Sequence, residues 1–94
     1  MGHVSHSYAD GACVYFIVLY PLKPSDALEQ WRAIKRDVTD AIIDAGGTVS
    51  HHHGIGTDHA PWLAREKGVL GVEAIKALKR TFDPDGIMNP GKLF

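Results

Sequence analysis

The sequence predicts an α+β fold, and three stretches carry that prediction. They are an unbroken apolar run over residues 12–20, a helical periodicity over residues 28–45 and a short extended segment over residues 48–50. Together they make a strand-helix-strand unit, which a second helical pattern and a turn-rich end follow.

The first strand is written in Cys13-Val14-Tyr15-Phe16-Ile17-Val18-Leu19-Tyr20, which is β-branched, aromatic or aliphatic without alternation. That pattern belongs to a strand that is apolar on both faces. A small two-layer unit covers one sheet face with its own helices. A 94-residue chain buries only about 60–65% of its unfolded surface, so the second face predicts a cover from another domain or subunit. The exposed sheet face is accordingly a candidate homodimer surface. The alternative is a self-contained sandwich in which the two later helices cover it.

Pro21 and Pro24 end the strand, and Ser25-Asp26 with Glu29 form a helix start in which acids meet free backbone N–H groups. Leu28, Trp31, Ile34, Val38, Ala41, Ile42 and Ala45 recur at steps of three and four, one apolar stripe facing the sheet. Gly46-Gly47 stops this helix. Thr48-Val49-Ser50 then begins a second strand. A right-handed crossover makes the two strands parallel, neighbouring or one apart, as in a ferredoxin-like strand-helix-strand fragment.

Asp58 and Pro61 mark a further helix start, and Val72, Ile75, Leu78 and Phe82 continue a helical pattern, with Glu73 and Lys76 on its wet side. Residues 83–94 are two turn clusters joined by short apolar stretches, an ordered tail. No repeat or linker divides the chain.

Composition narrows the function. Ten basic residues against eleven acidic ones leave a formal charge of -1, which argues against nucleic acid and anionic membrane surfaces as partners. The run over residues 12–22 is too short for a transmembrane segment and contains Pro21. Cys13 is the single cysteine, so there is no internal disulfide or multi-cysteine zinc site, in keeping with a cytoplasmic protein.

The least ordinary feature is His51-His52-His53-Gly54-Ile55-Gly56. Imidazoles titrate near neutral pH and can accept or donate a proton, and the glycines let backbone approach a ligand. In an extended segment His51 and His53 point to one face and His52 to the other. Parallel strands would bring Tyr15 and His51 to similar heights, where a phenol beside imidazoles can serve as acid or base; core packing is the plainer role for Tyr15. A rival reading makes His51 and His53 metal ligands completed by His3, His6 or His59, in a standalone metal-binding or interaction module, although the spacing matches no zinc pattern. Gly54-Ile55-Gly56 lacks the third glycine of a dinucleotide fingerprint.

Taken together, residues 3–8 (His3-Val4-Ser5-His6-Ser7-Tyr8), 11–16 (Gly11-Ala12-Cys13-Val14-Tyr15-Phe16), 50–56 and 87–93 resemble in order and spacing the C-terminal end of FAD-linked oxidases. Within that superfamily the histidine triplet before Gly-x-Gly and the Ala-Cys-x-Tyr-Phe strand are similar to alkyldihydroxyacetonephosphate synthases and their bacterial relatives. The resemblance implies that this chain is the end of a longer protein. Residues 1–56 would be the strand-helix-strand part of a cap domain, and residues 57–94 the closing helices and tail. It implies FAD, bound mainly by an N-terminal FAD-binding domain of the same parent, and a small-molecule or lipid-like substrate.

By the same resemblance Tyr15 matches the family's acid/base tyrosine, and His51, His52 and His53 match the triplet that lines the flavin site. No metal is implied. The family's reaction exchanges the acyl group of an acyl dihydroxyacetone phosphate for a fatty alcohol, with a tyrosine moving a proton at the reacting carbon and no net oxidation. The 2-hydroxy-acid dehydrogenases of the superfamily share the Asn-Pro-Gly-Lys ending, but use Glu-His-Gly and a second metal histidine. Here His52 stands in place of that Glu and Val14 in place of that histidine, which disfavours the hydroxy-acid alternative.

Overall fold

A computed structural model describes residues 1–94, which fold as two compact units, Met1–Ala33 and Ile34–Phe94. The α+β expectation holds: two strands precede two helices.

In the first unit, β1 (Gly2–Tyr8) and β2 (Gly11–Phe16) form an antiparallel hairpin around the Ala9-Asp10 turn. Met1 and Ile17 extend the ladder, each donating its backbone nitrogen to the other's carbonyl at 2.8 Å. The register pairs Gly2 with Phe16, His3 with Tyr15 and Val4 with Val14, then shifts by one residue, so that His6 faces Cys13. The expected strand over residues 12–20 thus ends at Phe16. Ile17 adds one more pair with Met1, residues 18–20 are irregular, and Pro21 and Pro24, which supply no backbone N–H, rule out a ladder through the bend that follows. Gln30 closes this bend: its amide donates to the Pro21 carbonyl at 2.8 Å, and its oxygen accepts from the Lys23 N–H at 2.9 Å. A 3-10 turn, Pro24–Asp26, then leads into α1 (Ala27–Asp44) with Asp26 and Glu29 in the opening turns, as the acids before the stripe predict.

The apolar strand is largely uncovered. Val14, Phe16, Ile17, Val18 and Leu19 are all exposed, Phe16 by 60%. An exposed apolar stretch of this kind is a surface that another element can cover.

The second unit contains the end of α1, the loop over residues 45–59, α2 (Ala60–Phe82) and the tail. Gly46 and Gly47 close α1 by donating to the Ile43 and Ile42 carbonyls at 2.9 and 2.8 Å, the paired bonds of a helix stop. Side chains link the helices: Trp62 Nε1 donates to Asp40 Oδ1 at 2.8 Å, and Arg65 pairs with Asp40 and, at 2.7 Å, with Asp44. Trp62 and Leu63 are the buried hydrophobic residues, with Thr39 and Asp83 as buried polar ones. Thr39 is satisfied by donating its hydroxyl to the Lys35 carbonyl at 2.7 Å.

The predicted second strand is corrected here. Thr48-Val49-Ser50 is irregular and pairs with no strand, because the sheet contains β1 and β2 alone. Glu66 on α2 takes the Val49 N–H that a ladder would use, accepting from it at 2.8 Å, and also accepts from the Thr48 hydroxyl at 2.8 Å. Helix α2 starts at Ala60 with Pro61 in its first turn, as the sequence predicts, and is broken at Gly68 (φ 72°, ψ 164°). No helix is long and apolar enough to cross a membrane.

Candidate functional site

The hairpin gathers more chemistry than residue spacing suggests. Residues directly opposite in an antiparallel pair share a face, as do residues two apart in one strand. The register therefore sets His3, His6, Cys13 and Tyr15 on one face of the hairpin. The irregularity between Val4 and His6 is what does this. Without the extra residue, His6 would fall on the Val14 side. Tyr15 and Cys13 are half-buried, whereas His3 and His6 are exposed. Ser5 Oγ lies 2.5 Å from His6 Nδ1. Strand β1 is not foreseen from the sequence because Gly-His-Val-Ser-His-Ser-Tyr is poor in strand formers. The turn-forming Asp10-Gly11 is the signal that could have marked the hairpin.

The histidine run is a bent loop, not the extended segment expected, so the alternation of faces among His51, His52 and His53 does not apply. All three side chains are exposed, and the His51 and His52 rings stand 3.9 Å apart at a 60° tilt. The bend is set by glycine. Gly54 and Gly56 have φ of 78° and 60° around the half-buried Ile55, a left-handed conformation that L side chains adopt at a cost. A Cβ at either position would meet nothing within 4 Å, so backbone conformation rather than space requires glycine there. The loop is held from two directions: the Ile55 carbonyl accepts from the His59 N–H at 3.2 Å, and the Gly56 carbonyl from the Leu93 N–H at 2.9 Å.

His59, beside this loop, meets Lys35 of α1, with His59 Nε2 at 2.9 Å from Lys35 Nζ. Partial burial first, and then the Lys35 charge, hold the imidazole below its ordinary pKa, with Asp58 opposing. A neutral imidazole accepts the ammonium proton here. Glu66 is the other anchor: its bonds to Lys67, Val49 and Thr48 outweigh desolvation and keep its carboxyl below the usual range. Neither role was legible from residue spacing.

The candidate residues fall in different compact units, Tyr15 in the first and His51, His52 and His53 in the second.

Comparison with known proteins agrees with the resemblance in the sequence. The family described as FAD linked oxidases, C-terminal domain, matches residues 1–93. Alkyldihydroxyacetonephosphate synthase of Dictyostelium discoideum is 40% identical over 97% of this chain and 15% of its own length. YgcU, an uncharacterised FAD-linked oxidoreductase of Escherichia coli K12, is 35% identical over 99% of this chain and 20% of its own. Glycolate oxidase subunit GlcD of Bacillus subtilis is 37% identical over 78% of the chain and 16% of its own. The chain thus spans between 15% and 20% of the length of these relatives. No solved structure matches it. The chain belongs to the family of FAD-linked oxidase C-terminal domains.

Proposed function

We propose that this chain is the substrate- and flavin-facing C-terminal part of an FAD-dependent oxidoreductase or alkyldihydroxyacetonephosphate synthase-like enzyme. Tyr15 and the histidines His51, His52 and His53 supply its acid–base groups. Residues 1–56 belong to the cap over the flavin, and residues 57–94 close the fold. The observation that carries the reading is the His3–Tyr15 pair across the hairpin. An imidazole opposite a phenol on the same hairpin face is placed to exchange a proton with it, which supports Tyr15 as a base and then as an acid.

The residues present fit the ring of FAD and not its diphosphate. A diphosphate needs converging N–H donors at a helix start, whereas α2 opens with Pro61, which has none, behind the negative Asp58. The exposed imidazoles of His51, His52 and His53 fit the polar edge of a flavin ring or a substrate phosphate or carbonyl. When bound, FAD supplies the electron-accepting ring. Tyr15 Oη takes or returns the proton at the substrate's reacting carbon, and His3 steadies the phenolate. The histidine loop donates hydrogen bonds to developing negative charge.

The test uses the full-length enzyme and an acyl dihydroxyacetone phosphate in deuterated water. Tyr15→Phe should abolish exchange of the proton on the reacting carbon while flavin absorbance stays unchanged. Exchange at the wild-type rate would remove Tyr15 from the chemistry. If the unaltered enzyme performs no exchange but its flavin is bleached by 2-hydroxy acids, the synthase-like reading gives way to hydroxy-acid oxidation.

A further inference from the structure

The tail makes a backbone connection that the proposed chemistry does not use. At the end of α2 the carboxylate of Asp83, 8% exposed, gathers three donors. These are Lys79 Nζ at 2.5 Å, the Ile87 N–H at 2.9 Å and the Met88 N–H at 3.1 Å. Lys79 also donates to the Met88 carbonyl at 2.8 Å. The chain then turns through Asn89-Pro90-Gly91, with the Lys92 N–H on the Asn89 carbonyl at 3.2 Å. Lys76 Nζ stands 5.8 Å from the centre of the Phe94 ring. At Leu93 the N–H reaches the Gly56 carbonyl.

Leu93 makes that contact with φ at 76°, and Asn89 has φ at 45°. For a leucine this backbone costs roughly 1–2 kcal/mol and persists only where the surroundings impose it. The strained residue and the last residue of the histidine motif are joined by one bond, and Gly56 is itself left-handed.

We propose that the tail is a clamp that fixes the histidine loop, with Leu93 as a positioning residue acting through the Gly56 carbonyl. The inference rests on the acid–base reading of His51, His52 and His53. Asp83 and Lys79 anchor one end of the tail to α2, the strained turn carries the chain back, and the Leu93 N–H sets the bend from which the histidines project.

The test compares Leu93→Pro, which removes the donor and cannot adopt the positive φ, with Leu93→Gly, which keeps the donor and accepts the positive φ without strain, in the full-length enzyme. L93P should lower kcat on the order of 10²-fold through misplaced imidazoles. It should also speed amide hydrogen exchange over residues 51–57 roughly tenfold in the flavin-free protein. KM and flavin content should hold, and L93G should stay near wild type in every readout. Wild-type kcat and exchange in L93P would overturn the clamp.

Should L93P lose its flavin, an amide-to-ester replacement at residue 93 deletes the same donor while leaving φ free. A fall in kcat there supports the clamp, and no change overturns it. Full turnover after replacing His51, His52 and His53 together by Ala would instead sink the acid–base reading, and with it the purpose of the clamp.

Discussion

Trp62 donates its indole N–H to Asp40 across 2.8 Å, and Arg65 pairs with the same carboxylate oxygen. The Trp62 hydrogen bond, followed by that of Arg65, holds the Asp40 carboxyl below its ordinary range. A depressed carboxylate stabilises the fold above its unfolded value, here 3.8, and that contribution fades as pH falls through the folded value. Asp40→Ala leaves the buried indole without an acceptor. Asp40→Asn keeps an oxygen for it and loses only the charge. Thermal melts of the full-length enzyme should therefore rank wild type above D40N and D40N above D40A, with the Trp62 emission shifted only in D40A. Equal melting temperatures for the two variants would show the indole bond to be idle.

His59 gives a second dependence on pH, nearer neutrality. Its imidazole is held below its ordinary value of 6.5 by burial and by Lys35. The unfolded chain therefore binds more protons, and stability rises with pH. The contribution is complete above 6.5 and is lost as pH drops towards the folded value. The groups facing His59 are Lys35, Asp58, the Ile55 backbone and the positive start of α2, of which Asp58 and the Ile55 backbone favour the charged ring. His59→Gln, which can still accept from Lys35, should flatten the loss of stability as pH falls below 6.5. An unaltered acid slope in denaturant titrations of H59Q would exclude this imidazole as its source.

Much of this was legible in the sequence, and the parts that were not share a cause. The apolar run around Tyr15, the helix stop at Gly46-Gly47 and the helix start at Pro61 rest on local patterns, and each appears in the structure. The hairpin partner β1 was hidden because its alternation is carried by His, Ser and Gly, residues without strong strand preference. The second strand failed for a different reason. Val49 and Thr48 look extended, but whether an N–H joins a ladder depends on which acceptor arrives, and here Glu66, 17 residues from Val49, arrives first. The Leu93–Gly56 bond has the same character, because no local pattern announces a backbone contact across that distance.

Glycine in the histidine loop makes a prediction that separates conformation from packing. Ala at Gly54 or Gly56 meets no neighbour but must adopt φ of 78° or 60°, at roughly 1–2 kcal/mol each. Gly11 is the internal control, since its Cβ is also unobstructed and its φ is not positive. Chemical denaturation should show Gly54→Ala and Gly56→Ala destabilised by about that amount, and Gly11→Ala neutral or slightly stabilised. Turnover should fall further than stability in the two loop variants, because the histidines depend on the bend. A loss in Gly11→Ala as large as theirs would trace the effect to side-chain volume.

The hairpin and the second half of α2 together define what the isolated chain should do. On the hairpin Val4, Val14 and Phe16 are exposed, and beyond the break at Gly68 so are Val69, Leu70, Leu78 and Phe82, Leu70 by 87%. No side chain is buried to below 2% exposure, so the close-packed interior typical of a folded domain is lacking. Apolar area left in water at about 25 cal/mol per Å² is stabilisation not realised. The isolated chain should therefore bind a hydrophobic dye strongly, unfold over a broad range without a cooperative transition and carry no flavin absorbance. Dye binding should vanish when the same residues are present within the full-length protein. A sharp melt with little dye binding for the chain alone would mean that residues 1–94 find their own cover, through self-association or a rearranged sheet, and sedimentation would then separate a dimer from a monomer.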